Sequence, residues 1–205
     1  KSCILSMFET SEDRQMNIEL PRWADHMIEY LLARVKDTVH LLQKSNSLAL
    51  NDEISQLPNH RAATLYLKDV FEEYCMNQTK FSILFVDGDN LKRYNDYGYH
   101  CGNEMIRNLG ELITSSIRHS DRVFRWLSGD EFLIVLKDIS KKTAYIMAER
   151  IRNHVEKATK SWRYPVTVSI GVANCPIDGT DMNTVLDKAV SSNRQAKKSG
   201  KNCVM

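Results

Sequence analysis

Two short acidic stretches in this chain stand where a folded backbone would hold them still. The first, Asp87-Gly88-Asp89-Asn90, follows the apolar run FSILFV at residues 81–86. A carboxylate at the end of a buried strand sits at the rim of a sheet. With a neighbouring backbone carbonyl it makes a hard oxygen site suited to magnesium. Alone, the stretch is equally explained by an aspartate capping the next helix, and Asp87 and Asp89 need not point at the same target. The second, Ser128-Gly129-Asp130-Glu131, lies between apolar segments at 123–127 and 132–136. Two adjacent carboxylates straight after a tight turn cannot both face a core. A lone pair of this kind is usually a solvated hairpin tip, but here the preceding glycine lets backbone approach a phosphate closely.

The elements that would carry these groups follow from periodicity. Residues 61–76 read as a helix, 81–86 as a buried strand, and 103–118 as a helix with Met105, Ile106, Leu109, Leu112, Ile113 and Ile117 at helical spacing. Strands at 123–127 and 132–136 are joined by Ser128-Gly129. A helix at 144–155, a strand at 166–172 and a helix at 183–197 complete the order β-α-β-β-α-β-α. That order predicts an α+β fold, a ferredoxin-like palm with a central antiparallel sheet flanked by helices, the helices being expected on one face. Ahead of it, residues 23–49 contain no Gly or Pro, and Ile28, Leu32, Val35, Val39, Leu42, Asn46 and Ala49 alternate at spacings of four and three. This is a coiled-coil-like seam that would pair two copies, with Asn46 fixing register. The plainer alternative is an amphipathic helix lying on its own domain. The chain accordingly divides into 1–21, a leader or remnant of an upstream domain, 22–50, a signalling and dimerisation helix, and 51–205, the palm domain.

Composition limits the partners. Of 205 residues, 42% are hydrophobic and 26% charged, enough for a packed core, and the formal net charge is only +2. No basic run points to nucleic acid or an anionic membrane, so any phosphate binding must come from local clusters. Five cysteines without a close pair read as reduced, buried thiols of a cytoplasmic protein. No apolar run approaches membrane-spanning length. The first residue is Lys, which suggests the cytoplasmic part of a larger sensor. The six histidines form no ligand pattern, and Trp126 and Trp162 read as packing anchors.

Taken together, the acidic stretches and their neighbours resemble the GGDEF diguanylate cyclases over residues 52–205. NDEISQLPNHRAA (51–63) resembles the family's linker signature, DGDNLKRYND (87–96) its D-x-D-x-F-K-x-x-N-D, and SGDEF (128–132) the GGDEF signature itself. VTVSIGVA and QAKKSGKN are similar to the closing strand and the A-K-x-x-G-R-N signature. The resemblance implies a nucleotide-cyclase palm that condenses two GTP into cyclic di-GMP, a bacterial second messenger, in a homodimer. It implies that Asp87, the Gly88 carbonyl and Asp130 hold magnesium, with manganese as an alternative, and that Asp130 or Glu131 helps remove the 3′-hydroxyl proton. Asn95 and Asn103 would read guanine, Lys92, Lys197 and Lys201 would neutralise phosphates, and Ser128 and Gly129 would border them. Arg118-His119-Ser120-Asp121 resembles the R-x-x-D product-inhibition site, in which Arg118 and Asp121 would bind cyclic di-GMP.

The chain departs from the family pattern at several positions. Ser128 replaces a glycine, and Lys201 an arginine. Trp126 and Leu127 stand where one residue is usual, which predicts a bulge or a longer turn. Residues 95–104 run one residue short. Asn103 takes the place of a guanine-reading aspartate and offers one acceptor plus a donor. Two other readings follow: a catalytically silent domain that binds nucleotide or cyclic di-GMP as a receptor, and a cyclase of altered base choice that makes a mixed dinucleotide.

Overall fold

The protein is described by a computed structural model over residues 21–127 and 129–205; the expected leader lies outside these residues, Pro21 apart, as does Ser128. Two units meet in sequence between Ser45 and Asn46, and each is described by itself. Helix α1 (Arg22–Leu50) has 29 residues, a length of about 43 Å at ~1.5 Å per residue. Ile28, Leu32, Val35, Val39 and Leu42 of the expected seam are exposed along it. The side chain of Asn46 lies outside the described residues.

The second unit is organised by β1 (Phe81–Asp89), whose first six residues are all buried. Helix α2 (His60–Asn77) precedes β1, and Asn59 caps it by accepting from the Ala62 amide. A short helix α3 (Lys92–Asn95) and helix α4 (Tyr99–Ser115) follow the strand. Then come β2 (Arg122–Arg125), β3 (Glu131–Lys137), α5 (Lys141–Ala158), a single 3-10 turn (Thr159–Ser161), β4 (Thr167–Cys175) and α6 (Met182–Lys198). The strands lie in the order β2-β3-β1-β4, every neighbouring pair antiparallel. The α+β palm expected from the element order is therefore present.

Helices cover both faces of this sheet, which corrects the expectation of one covered face. Leu84 and Val86 face α4 and α5 in one core, with Phe132, Ile134, Ile170 and Val172. Phe81, Ile83 and Phe85 face α2 and α6 in a second, with Leu133, Val135 and Ala173. A strand sandwiched this way carries apolar residues on both faces, and FSILFV supplies them on both; Ser82, the exception, is buried and accepts from Asn174 Nδ2. The C-terminal residues protect the edge of β4: the Ile170 amide donates to Cys203 O, the Val172 amide to Met205 O, and the Met205 amide to Ile170 O.

The four described cysteines carry free thiols, but only Cys175 is buried; Cys75 is exposed on the last turn of α2. The expectation of buried thiols fails there because position 75 falls on the solvent face of α2, one residue past the buried Tyr74. Trp126 packs edge-on against His60 and Phe85, as a packing anchor should.

Helix α6 is seated unusually close to β4. A β-carbon at Gly171 would stand 2.0 Å from the Ala189 carbonyl oxygen, so only glycine lets the helix backbone touch the strand. Asn193, one turn on, donates through Nδ2 to Ser169 O at 2.7 Å and Phe85 O at 3.3 Å. Gly171→Ala is expected to destabilise the protein by about 1–3 kcal/mol, the range of core overpacking, in urea denaturation. A loss below about 0.5 kcal/mol would show that α6 is not held at that distance.

Candidate active cleft

Residues two apart on a strand share a face, so Asp87 and Asp89 point the same way, towards α6. They do meet one target. Lys197, one turn beyond Asn193 on the same side of α6, places Nζ 2.8 Å from Asp87 Oδ1 and 2.9 Å from Asp89 Oδ1. The same ammonium donates to the Gly88 carbonyl at 2.7 Å.

Asp89, which the sequence left without a role, is fully buried. It accepts from Thr167 Oγ1 at 2.7 Å, Ser169 Oγ at 2.9 Å and the Asn202 amide at 3.1 Å. Burial pushes its carboxyl up, but the bonds from Thr167 and Lys197 more than offset this and hold it below the ordinary value. Asp87 moves the other way. Burial outweighs the attraction of Lys197, and the nearby Asp89 adds to the rise. Burial draws the Lys197 ammonium down, yet its bonds to the two aspartates raise it on balance, so it stays charged.

Opposite Asp87 in the β1–β3 ladder stands Glu131, and Asp130 precedes it in the hairpin turn. The loop from 126 to 130 is longer than a tight two-residue turn, the outcome expected from the extra residue. Trp126 N donates to Glu131 O at 2.9 Å, and Leu127 is left exposed. Gly129 supports the turn with a φ of 63°, a conformation that favours glycine.

What steadies this loop is Arg125, a residue the sequence did not single out. Its side chain is nearly buried and donates to the carbonyls of Glu131, at 3.0 Å, and Gly129. Its Nε lies 3.9 Å from Asp52 in the linker motif, and its own amide donates to Pro58 O. No local signal marks Arg125, because Asp52 reaches it from the linker, 73 residues earlier in the chain.

Asp130 is only 9% exposed, and its Oδ2 has no hydrogen-bond partner among the described residues. A β-carbon at Gly88 would stand 2.5 Å from that oxygen, and the Gly88 amide donates to Asp130 O at 3.0 Å. The glycine of Asp-Gly-Asp is therefore required for the hairpin carboxylate to close over β1. Burial, and then the neighbouring Asp87, lift the Asp130 carboxyl from the ordinary 3.8 of an aspartate to about 7.

The other predicted residues distribute around this centre. Lys92 and Lys201 line the same cleft as Asp87, Gly88, Asp130 and Lys197, and Lys201 Nζ donates to Asn90 at 3.1 Å. Asn95 lies against the first turn of α4. A β-carbon at Gly102 would stand 2.0 Å from its Oδ1, which puts Asn95 beside the residue preceding Asn103. Asp121 is nearly buried; its Oδ2 accepts from the Arg118 amide at 3.1 Å, while the Arg118 side chain is exposed. Asp121 thus closes its own turn and leaves Arg118 at the surface.

Residues 49–203 match the family described as diguanylate cyclase, GGDEF domain. The chain is 30% identical over 158 residues to the bifunctional diguanylate cyclase/cyclic di-GMP phosphodiesterase MucR of Pseudomonas aeruginosa, covering 76% of this chain and 23% of that protein. It is 29% identical over 177 residues to the diguanylate cyclase DgcS of Shewanella oneidensis, covering 86% and 59%. The chain so spans between 23% and 59% of the length of these two curated relatives. Among solved structures, the coiled coil and GGDEF domain of DgcB from Caulobacter crescentus, in complex with c-di-GMP, has a similar fold. The TM-score is 0.80 at 22% identity, with 89% of this chain and 98% of that one covered. Fold, motifs and family agree: the chain belongs to the GGDEF family of diguanylate cyclases.

Proposed function

We propose that the protein is an active diguanylate cyclase that condenses two GTP into cyclic di-GMP across a homodimer. The observation that carries this reading is that Asp87 and Asp130 line one cleft with Lys92, Lys197 and Lys201, and that one Asp130 oxygen is buried with no hydrogen-bond partner among the described residues. A silent receptor has no need for a buried carboxylate held without a partner. In each half-site a 3′-oxygen bonds to the α-phosphorus of the opposing GTP, the bond from that phosphorus to the β-phosphate bridge breaks, and pyrophosphate leaves. The hydroxyl proton passes to Asp130 or Glu131. Two such steps close the ring.

Among the described residues no three His, Cys, Asp or Glu side chains form a metal cluster. Asp87, the Gly88 carbonyl and the unpartnered Asp130 oxygen form an all-oxygen set that fits a hard divalent cation, magnesium or manganese. Bound there, it would supply Lewis-acid activation of the attacking oxygen and offset charge on the leaving group. The lysines hold the phosphates, Gly129 borders them, and Asn95 and Asn103 read the base. Positioning and charge supply the catalysis, as in phosphoryl transfer generally.

One half-site holds one GTP, so the reaction needs two domains face to face. The exposed stripe Ile28, Leu32, Val35, Val39 and Leu42 gives α1 the surface to pair two copies and so raise the local concentration of one half-site beside the other. Arg118, exposed beside the turn closed by Asp121, is the residue to receive the product as inhibitor.

Incubation with magnesium and GTP is expected to yield cyclic di-GMP by mass spectrometry, and Asp130→Ala to abolish turnover while circular dichroism and dimer mass stay unchanged. A mixed product from GTP with ATP would instead assign Asn103 an altered base choice. Nucleotide binding without any product would move the chain to the receptor class. Arg118→Ala is expected to relieve inhibition by added cyclic di-GMP at least ~10-fold in half-inhibitory concentration, as loss of a charged hydrogen bond should; an unchanged value would make the R-x-x-D match accidental.

The raised Asp130 carboxyl has a consequence without metal. Between about pH 4 and 7 the folded chain keeps a proton that the unfolded chain has released. The stability due to Asp130 is therefore full below about pH 4 and is lost as pH rises through about 7, by roughly 4 kcal/mol at ~1.4 kcal/mol per unit. In metal-free buffer Asp130→Asn should accordingly gain stability over the native chain on going from pH 5 to pH 8, read as melting temperature. An equal offset at both pH values would rule out the shift.

A further inference from the structure

Lys197 spends its ammonium on three oxygens at once: Asp87 Oδ1, Asp89 Oδ1 and the Gly88 carbonyl, all within 2.9 Å. An ammonium has three N–H donors, so these contacts saturate it. Two of the three oxygen sources, Asp87 and the Gly88 carbonyl, are groups assigned above to a divalent cation. The third, Asp89, keeps three further donors when Lys197 moves: Thr167, Ser169 and the Asn202 amide. Its position allows Lys197 to let go of Asp87 and Gly88 without stranding a buried charge. The side chain is 24% exposed and ends a flexible four-carbon stem, so it can turn towards the mouth of the cleft.

We infer that Lys197 is the resident counter-ion of this cleft and couples metal binding to nucleotide binding. A divalent cation gains Asp87 and the Gly88 carbonyl when the ammonium leaves them, and a triphosphate supplies the anion to which the ammonium moves. Each ligand therefore favours the other by the same factor, as linkage requires. Without nucleotide the ammonium competes with the cation for the same oxygens and repels it, which keeps metal affinity low. This inference rests on the cyclase reading for the identity of the metal-binding oxygens.

The test is metal affinity, not turnover. Mn2+ is titrated into the full chain, native and Lys197→Met, with binding read by electron paramagnetic resonance, alone and with a non-hydrolysable GTP analogue. Methionine keeps much of the length and removes the charge. The variant is expected to bind Mn2+ alone at least ten-fold tighter than the native chain, and to lose most of the tightening that the analogue brings to the native chain. Unchanged or weaker Mn2+ binding by Lys197→Met overturns the inference. Absence of Mn2+ binding to both proteins, with or without analogue, overturns the metal assignment itself and the inference with it.

A second measurement needs no variant that must fold. The side-chain ammonium resonance of Lys197 in the native chain is expected to shift little with Mg2+ alone and strongly with Mg2+ and the analogue together. A resonance that does not respond to the pair shows that the ammonium stays on the aspartates, and overturns the inference.

Discussion

A buried carboxylate at the end of a central strand is costly unless charge and hydrogen bonds meet it, and Asp89 sets that requirement for the whole cleft. Thr167 and Ser169 meet it from β4, Asn202 from the turn after α6, and Lys197 from α6 itself. Lys197 reaches Asp89 because Gly171 and Asn193 fix how closely and in which register α6 lies on the sheet. Satisfying Asp89 therefore also brings Lys197 to Asp87 and Gly88. The chemistry of the cleft is in this sense a by-product of solving the burial of one charge.

The other wall depends on Arg125 in a comparable way. The hairpin is longer by one residue than the family pattern, and a longer turn would ordinarily leave its carboxylates loosely placed. Arg125 ties the carbonyls of Gly129 and Glu131 from beneath, and the linker residues Asp52 and Pro58 hold Arg125. The added length is taken up by Trp126, packed on His60 and Phe85, and by the exposed Leu127. Asp130 can then close over Gly88 as a shorter hairpin would allow.

Much of this was legible in the residues, and the parts that were not share a cause. Periodicity placed each major helix and strand because one or both faces of each are apolar in register. The second layer of helices was implied by residues 81–86, where five of six positions are apolar and both faces of the strand carry large apolar side chains, a pattern a strand with one wet face would not show. The roles of Asp89 and Arg125 were not evident because their partners are distant: Asn202 lies 113 residues from Asp89, and Asp52 lies 73 residues before Arg125. Spacing along a chain shows which side chains share a face; it does not show which distant donor reaches them. The small α3 was missed for a different reason, since four residues are too few to display a period.

The charge balance of the cleft follows from the same arrangement. Lys92, Arg93, Lys197 and Lys201 line it together with Asp87, Asp96 and Asp130, and Asp89 lies beneath. Four cations stand against four carboxylates, one of them with its carboxyl lifted to about 7. Such a cleft has little net field to draw in either a cation or a polyanion alone, in keeping with a chain whose formal net charge is only +2. On the cyclase reading proposed above, a divalent cation and a triphosphate arriving together would change this. The cation would take the carboxylates, the phosphates would take the lysines, and opposite charges would stay paired throughout. A cleft that is nearly neutral by itself would thereby favour the metal–nucleotide pair over either ligand alone, and Lys197, which bonds Asp87, Asp89 and the Gly88 carbonyl, is where that preference would be concentrated.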